Sequence, residues 1–90
     1  MAVVRFTKAL KRFFPSLKEF NTLAVDLHGV LNEINHLHPG LKNYILDEQG
    51  SLRKHVNIFI NGEMITDRIT LSDHFSEKDE IYIIQALSGG

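Results

Sequence analysis

Apolar positions along the chain change their repeat twice. Ala2-Val3-Val4-Arg5-Phe6-Thr7 has the β-branched and aromatic content of a strand. Leu17-Lys18-Glu19-Phe20-Asn21-Thr22-Leu23 alternates imperfectly, with Leu17, Glu19, Asn21 and Leu23 on one face and Lys18, Phe20 and Thr22 on the other. It predicts a second strand, joined to the first as a β-hairpin whose long loop breaks at Phe14-Pro15-Ser16. From Asp26 the repeat becomes helical: Leu27, Val30, Leu31, Ile34 and Leu37 fall at i, i+3, i+4, i+7 and i+10, a stripe wide enough to pack on a sheet. Asp26 suits the N-cap, where its carboxylate accepts a free backbone N–H and meets the positive end of the helix dipole. Pro39-Gly40 closes the helix. Gly29 inside it costs about 1 kcal/mol relative to alanine, or marks a close contact with the sheet.

Leu41, Tyr44, Ile45 and Leu46 predict a short helical turn before the loop Asp47-Glu48-Gln49-Gly50. His55-Val56-Asn57-Ile58-Phe59-Ile60 is the strongest strand signal, and Asn61-Gly62 behind it supplies what a two-residue type I′ turn needs. Glu63-Met64-Ile65 then runs back beside it. Leu71 to Phe75 predicts a short turn of helix, Lys78-Asp79 a tight turn, and Glu80 to Ala86 the last strand. The order is strand, strand, helix, strand, short strand, strand, an α+β plan with one main helix crossing one mixed sheet. In the last strand Ile81 and Ile83 point to one face and Tyr82 and Ile84 to the other. With the first pair under the helix, Tyr82 and Ile84 together with Phe59 are expected to leave an apolar patch on the open face.

The 90 residues suffice for one domain, which removes only roughly 60–65% of its unfolded surface from water. A hydrophobic share of 43% and a charged share of 23% are those of a folding globular chain. There is no cysteine, so disulfides, cysteine-ligated metals and an internal thiol nucleophile are all excluded. Net charge is −1 and the charges are dispersed, which argues against nucleic acid as a partner. The basic cluster Lys8, Lys11, Arg12 reads first as a solvated loop and second as a docking surface for an acidic partner. No run reaches the roughly 7–15 apolar residues of a signal peptide at the N-terminus or the about 18 of a membrane span, so no membrane partner and a cytoplasmic location are expected.

Other constellations carry little. Of the five histidines, His28, His36, His38, His55 and His74, the pair His36-x-His38 lacks the spacing that puts two ligands on one helical face, so no metal is expected. Ser72-Asp73-His74 is consecutive, unlike a triad assembled from distant positions. Asp79-Glu80 sits at a predicted exposed turn and reads as a solvated pair. The feature that does point to chemistry is the ending, Leu87-Ser88-Gly89-Gly90 directly behind an apolar strand. Glycine lacks a Cβ, so such a tail threads into a narrow cleft, and a carboxylate at its end is then within reach of another protein's active site. Fully extended, residues 87–90 span at most roughly 13–14 Å.

His55 to Glu63, then Asp79 to Ile84, then a small residue and Gly89-Gly90 resemble the ubiquitin-like sulfur carriers of the ThiS/MoaD type, over nearly the whole chain. The element order also matches their β-grasp fold, in which the first and last strands pair in parallel at the centre. The resemblance implies a carrier rather than an enzyme, with a β-grasp domain over 1–86 and a flexible diglycine tail over 87–90. A ubiquitin-activating-type adenylating enzyme uses ATP to place AMP on the Gly90 carboxylate, a sulfur donor replaces it, and the thiocarboxylate feeds an acceptor synthase subunit. No cofactor is held by the carrier itself. Ser88, Gly89 and Gly90 are the inserted tail, Gly90 is the adenylation site, and Phe59, Tyr82 and Ile84 are the docking residues. Molybdopterin synthesis and cysteine synthesis are the pathways in view, and the segment Leu46 to Asn61, with its extra loop before the strand, resembles the cysteine-synthesis branch and generic MoaD-like proteins more than the shorter thiamin carriers. Gln85-Ala86-Leu87-Ser88 departs from the proline-containing approach common in the family, and Phe13-Phe14-Pro15 has no counterpart there. Two alternatives use the same residues differently: a ubiquitin-like modifier joined to lysines through Gly90, and a purely structural interaction domain.

Overall fold

In the computed structural model, which describes residues 1–85, five strands form one mixed sheet. In chain order the elements are β1 (Ala2–Phe6), α1 (Lys8–Phe13), β2 (Phe20–Thr22), α2 (Leu27–Leu37), α3 (Leu41–Ile45), β3 (Val56–Ile60), β4 (Glu63–Met64) and β5 (Glu80–Gln85). The sheet order is β2-β1-β5-β3-β4. β1 and β5 are parallel, with Val4 opposite Ile81 and Phe6 opposite Ile83, and every other pairing is antiparallel. This is the expected β-grasp: the first and last strands meet near the middle, and α2 covers one face.

That face is apolar because the strand period and the helix period agree on it. Val4, Ile58, Ile81 and Ile83 from the sheet and Leu27, Val30, Leu31 and Ile34 from α2 are all fully buried. Each such side chain contributes about 1.5–3 kcal/mol on leaving water. Leu41, Ile45, Leu46, Leu52, Ile65 and Leu71 close the core from the chain that follows α2. Leu37, the last member of the predicted stripe, is instead half exposed, because it lies at the helix's final turn.

Asp26 is the N-cap of α2, and its Oδ1 accepts the Gly29 N–H at 2.7 Å. Gly29 does mark a close approach, but to its own entry loop and not to the sheet. A Cβ there would stand 2.9 Å from the Ala24 Cβ and 3.1 Å from the capping Asp26 Oδ1. Gly29→Ala, which on propensity alone would gain about 1 kcal/mol, is therefore expected to lower the melting temperature, because it pushes on the cap; a thermal melt of the two proteins checks the sign. The Asn61-Gly62 turn adopts φ of 51° and 83°, both left-handed, as a type I′ turn requires.

Three local expectations fail. Lys8 to Phe13 is a helix rather than a loop: Ala9 and Leu10 are buried while Lys8, Lys11 and Arg12 stay exposed. The second strand shrinks to Phe20–Thr22, with Thr22 buried and Leu23 exposed, so the Phe20/Thr22 face is the inward one. Leu17 is buried from the loop before it. Residues 71–75 form no helix. Leu71 is buried at φ 56°, a conformation a bulky side chain adopts only when its surroundings hold it there. The holder is Asp67, whose carboxylate accepts the N–H groups of Ile69, Thr70 and Ser72 and the hydroxyls of Thr70 and Ser72.

Candidate functional site

Side chains of β5 alternate as the period demands. Ile81 and Ile83 are buried under α2, while Tyr82 and Ile84 are half-buried on the opposite, helix-free face. Register then sets their neighbours. Phe59 stands opposite Tyr82 on one side and Met64 opposite Phe59, while Arg5 stands opposite Tyr82 on the other and Asn57 opposite Ile84. Directly opposed side chains on one face lie within contact reach, and diagonal neighbours within reach of aromatic rings, so Met64, Phe59 and Tyr82 make one apolar row that Ile84, two residues along β5 and diagonal to Phe59, extends into a stripe. The three expected docking residues are thus brought together on the open face.

A charged rim bounds the stripe. Arg5 pairs with Glu80 at 2.9 Å and with Glu19 at 3.3 Å. The Glu19 carboxylate first, by hydrogen bond and charge, and Glu80 after it hold the guanidinium above its already high ordinary pKa. At the other margin the Arg68 guanidinium donates to Asn57 Oδ1 and, at 2.7 Å, to the Arg53 carbonyl.

The end of β5 is anchored by groups that sequence reasoning did not single out. The Thr7 N–H donates to the Ile83 carbonyl and the Gln85 N–H to Thr7 Oγ1, each at 3.2 Å. Gln85 turns under the helical layer, where its Nε2 donates to the Tyr44 hydroxyl at 3.1 Å, and its Oε1 is buried with no hydrogen-bond partner among the described residues. The rings of Phe13 and Phe14 lie 5.3 and 5.9 Å from that of Tyr44, which gives the unassigned Phe13-Phe14-Pro15 segment a structural role. No signal within the sequence links positions so far apart. The expected tail, Ser88, Gly89 and Gly90, and the expected domain boundary at 86/87 lie outside the described residues.

The remaining candidates resolve into structure. Asp73 accepts from the Thr66 N–H and hydroxyl and the Asp67 N–H, so it clasps a loop rather than serving His74. Asp79 accepts from the Ser76 N–H and the Asn61 amide, tying the β3–β4 turn to the start of β5. His28 Nε2 reaches the Thr70 carbonyl at 2.6 Å. Among the described residues no three His, Cys, Asp or Glu side chains converge as metal ligands, and no helix is long and apolar enough to cross a membrane.

These clasps carry a pH dependence. Asp73 is held below its ordinary 3.8 by the Thr66 and Asp67 N–H groups, Asp79 by the Ser76 N–H and then Asn61, and Asp67 by the Ser72 and Thr70 hydroxyls. A depressed carboxylate stabilises the fold fully above its unfolded pKa and loses that contribution as pH falls through the folded one. Thermal melts should therefore be flat above about pH 5 and fall below about pH 4, and Asp67→Asn with Asp73→Asn should lower the plateau and flatten the fall. A doubly substituted protein with the same acid limb as the parent would contradict this.

The model of the ThiS family matches residues 4–90. The chain belongs to the ThiS family. The resemblance read from the β3, β5 and diglycine segments is borne out, and so is the β-grasp fold. No protein of curated function matches the sequence. Among solved structures, the Amycolatopsis orientalis BexX/CysO complex superposes with a TM-score of 0.82 at 18% identity, over 100% of both chains. The small archaeal modifier protein 1 from Methanosarcina acetivorans superposes at 0.74 and 24%, over 99% of this chain and 95% of that one. Urm1 of Sulfolobus solfataricus superposes at 0.69 and 27%, over 93% of this chain and 99% of that one. This ThiS-family member therefore shares its fold along its whole described length with small ubiquitin-like proteins.

Proposed function

We propose that this ThiS-family protein is a sulfur carrier that acts through the Gly90 carboxylate and has no catalytic machinery of its own. The observation that carries the reading is that the family match runs through residue 90, on a chain whose central strand β5 leads in sequence straight into Ala86-Leu87-Ser88-Gly89-Gly90. A carboxylate resists nucleophilic attack. Its oxygen attacks the α-phosphate of ATP with loss of pyrophosphate, and the acyl-adenylate so formed has AMP as a good leaving group. A sulfide-level nucleophile from a donor then displaces AMP and leaves the thiocarboxylate. ATP, the adenylating enzyme, the sulfur donor and the acceptor synthase all belong to the partners. Molybdopterin or cysteine synthesis is the class of destination, and the cytoplasm is the compartment where such partners work.

Docking of the body is assigned to Phe59, Tyr82 and Ile84, while Ser88, Gly89 and Gly90 enter the partner's active site. Tyr82→Asp places a charge in the middle of the stripe and should weaken binding to the adenylating enzyme at least about tenfold, as a central aromatic anchor does. Its half-buried position predicts little change in thermal stability, and calorimetric titration beside a melt separates the two effects.

A second reading has its own support: a fold neighbour is named a small archaeal modifier protein. As a modifier the same acyl-adenylate, or a thioester formed from it, would pass Gly90 to a lysine Nζ. The test is mass spectrometry on protein drawn from its native cells. Sulfur in place of a C-terminal oxygen supports the carrier; after trypsin, the remnant Asp79–Gly90 on a lysine of another protein supports the modifier, since Lys78 is the last basic residue. An unmodified carboxylate in cells that demand sulfur, with no conjugates, overturns both.

A further inference from the structure

Residues 1–18 hold five of the ten lysines and arginines, Arg5, Lys8, Lys11, Arg12 and Lys18, and no aspartate or glutamate. In a protein of net charge −1 this is a strong segregation. The fold puts it in a particular place. α1 follows β1 through Thr7, which is hydrogen-bonded to both Ile83 and Gln85, so the cationic helix sits beside the end of β5, where the chain proceeds towards Gly90.

Between α1, the segment at 18–19 and the open face of the sheet lies a cavity of about 280 Å³, lined by Arg5, Phe6, Lys11, Lys18, Glu19 and Tyr82. Its lining holds three cations and one carboxylate, and Glu80 at the same rim, paired with Arg5, brings the local excess to one positive charge. Arg5 is already held by Glu19 and Glu80 and forms a fixed wall. Lys11 and Lys18 are exposed and form no ion pair among the described residues. Tyr82 belongs at once to this cavity and to the apolar docking stripe, so the two surfaces are continuous.

We infer that this cavity receives a carboxylate side chain, aspartate or glutamate, from the protein that takes up the tail. The inference rests on the carrier reading for the partner's identity and adds to it the sign of that partner's surface. Two lysines with no ion pair among the described residues, set beside a phenol, suit a single anionic side chain. A nucleic-acid backbone would need a longer file of cations and would meet Glu19 and Glu80 at the same rim. The arrangement also orients the encounter: like-signed charges gathered beside the end of β5 draw an acidic cleft mouth towards the strand that leads in sequence to Gly90.

The test uses the full-length protein, isotopically labelled for NMR, titrated with an octaglutamate peptide and, in parallel, with a short DNA duplex. The expected result is shifts confined to α1, residues 16–19 and Tyr82 with the peptide, weakening as salt rises from about 50 to about 300 mM. Lys11→Glu with Lys18→Glu should raise the peptide Kd at least about tenfold, and the milder Lys11→Gln with Lys18→Gln should raise it less but measurably. Lys78→Glu, in the turn before β5, should leave it within about twofold, since screening isolates distant surface charges. Deletion of Gly90 should leave the titration unchanged, so failure of the tail chemistry and failure of the cavity read out separately. Equal peptide affinity in the Lys11/Lys18 variants, or tighter binding of the DNA than of the peptide, would overturn the inference.

Discussion

Deletion of Gly90 is expected, on the proposed carrier function, to abolish thiocarboxylate formation and to leave the fold intact. The carboxylate moves back by one residue, roughly 3.5 Å along an extended chain. An adenylating site that holds the reacting oxygen in a near-attack position does not follow it, and a displacement of even about 1 Å costs on the order of a hundredfold in rate. The folded body should not register the change: every core residue named above lies between Ala2 and Ile83, and the ladder of β5 ends at Gln85. The experiment combines intact mass after incubation with the adenylating enzyme, ATP and a sulfur donor with a thermal melt. A truncated protein that still gains sulfur would end the carrier proposal, and one that unfolds would show that the terminus belongs to the core.

The second large effect separates the two faces of β5. Ile83 is fully buried between Phe6 and Ile58, its partners on the flanking strands, and packs under α2. Ile83→Ala removes the Cγ1, Cγ2 and Cδ1 carbons from a fully buried site, at about 3–4 kcal/mol within the usual range for such truncations. Against a total of about 5–13 kcal/mol for a chain this long, that is a large fraction. Since 1 kcal/mol moves the midpoint of a domain this size by about 4–8 °C, a fall of roughly 15–25 °C follows. Ile84→Ala, one residue along on the open face, should cost under about 1 kcal/mol and act instead on partner binding. Paired melts of the two variants check this, and equal losses would contradict the assigned sidedness.

Much of this arrangement was legible from local pattern. The stripe Leu27, Val30, Leu31, Ile34 named α2 and its buried face, Asp26 named its start, and Asn61-Gly62 named the turn between β3 and β4. The alternation Ile81-Tyr82-Ile83-Ile84 named both faces of β5 before its neighbours were known. These features share one cause: period, cap and turn chemistry are set within a few residues, and burial on one side of an element repeats with that element's own geometry.

What stayed illegible depends on contacts between distant positions. Helix α1 is six residues long, too short to persist on propensity, and it forms because Ala9 and Leu10 find the core. Leu71 was read as helical because nothing near it announces that Asp67 will pin it at positive φ. The clasp of Gln85 on Tyr44, with Phe13 and Phe14 around that ring, joins three parts of the chain that share no local pattern.

The sequence by itself determined the α+β element order, the inward and outward faces of the main helix and last strand, and the diglycine ending that carries the proposed chemistry, since each is written in short-range periodicity or composition. Only the tertiary structure decided that a cation-rich helix lies beside the end of β5 and that its cavity runs into the Tyr82 stripe. Charge and cavity there are assembled from β1, α1, the segment before β2, and β5, and only strand pairing and core burial bring those segments to one place.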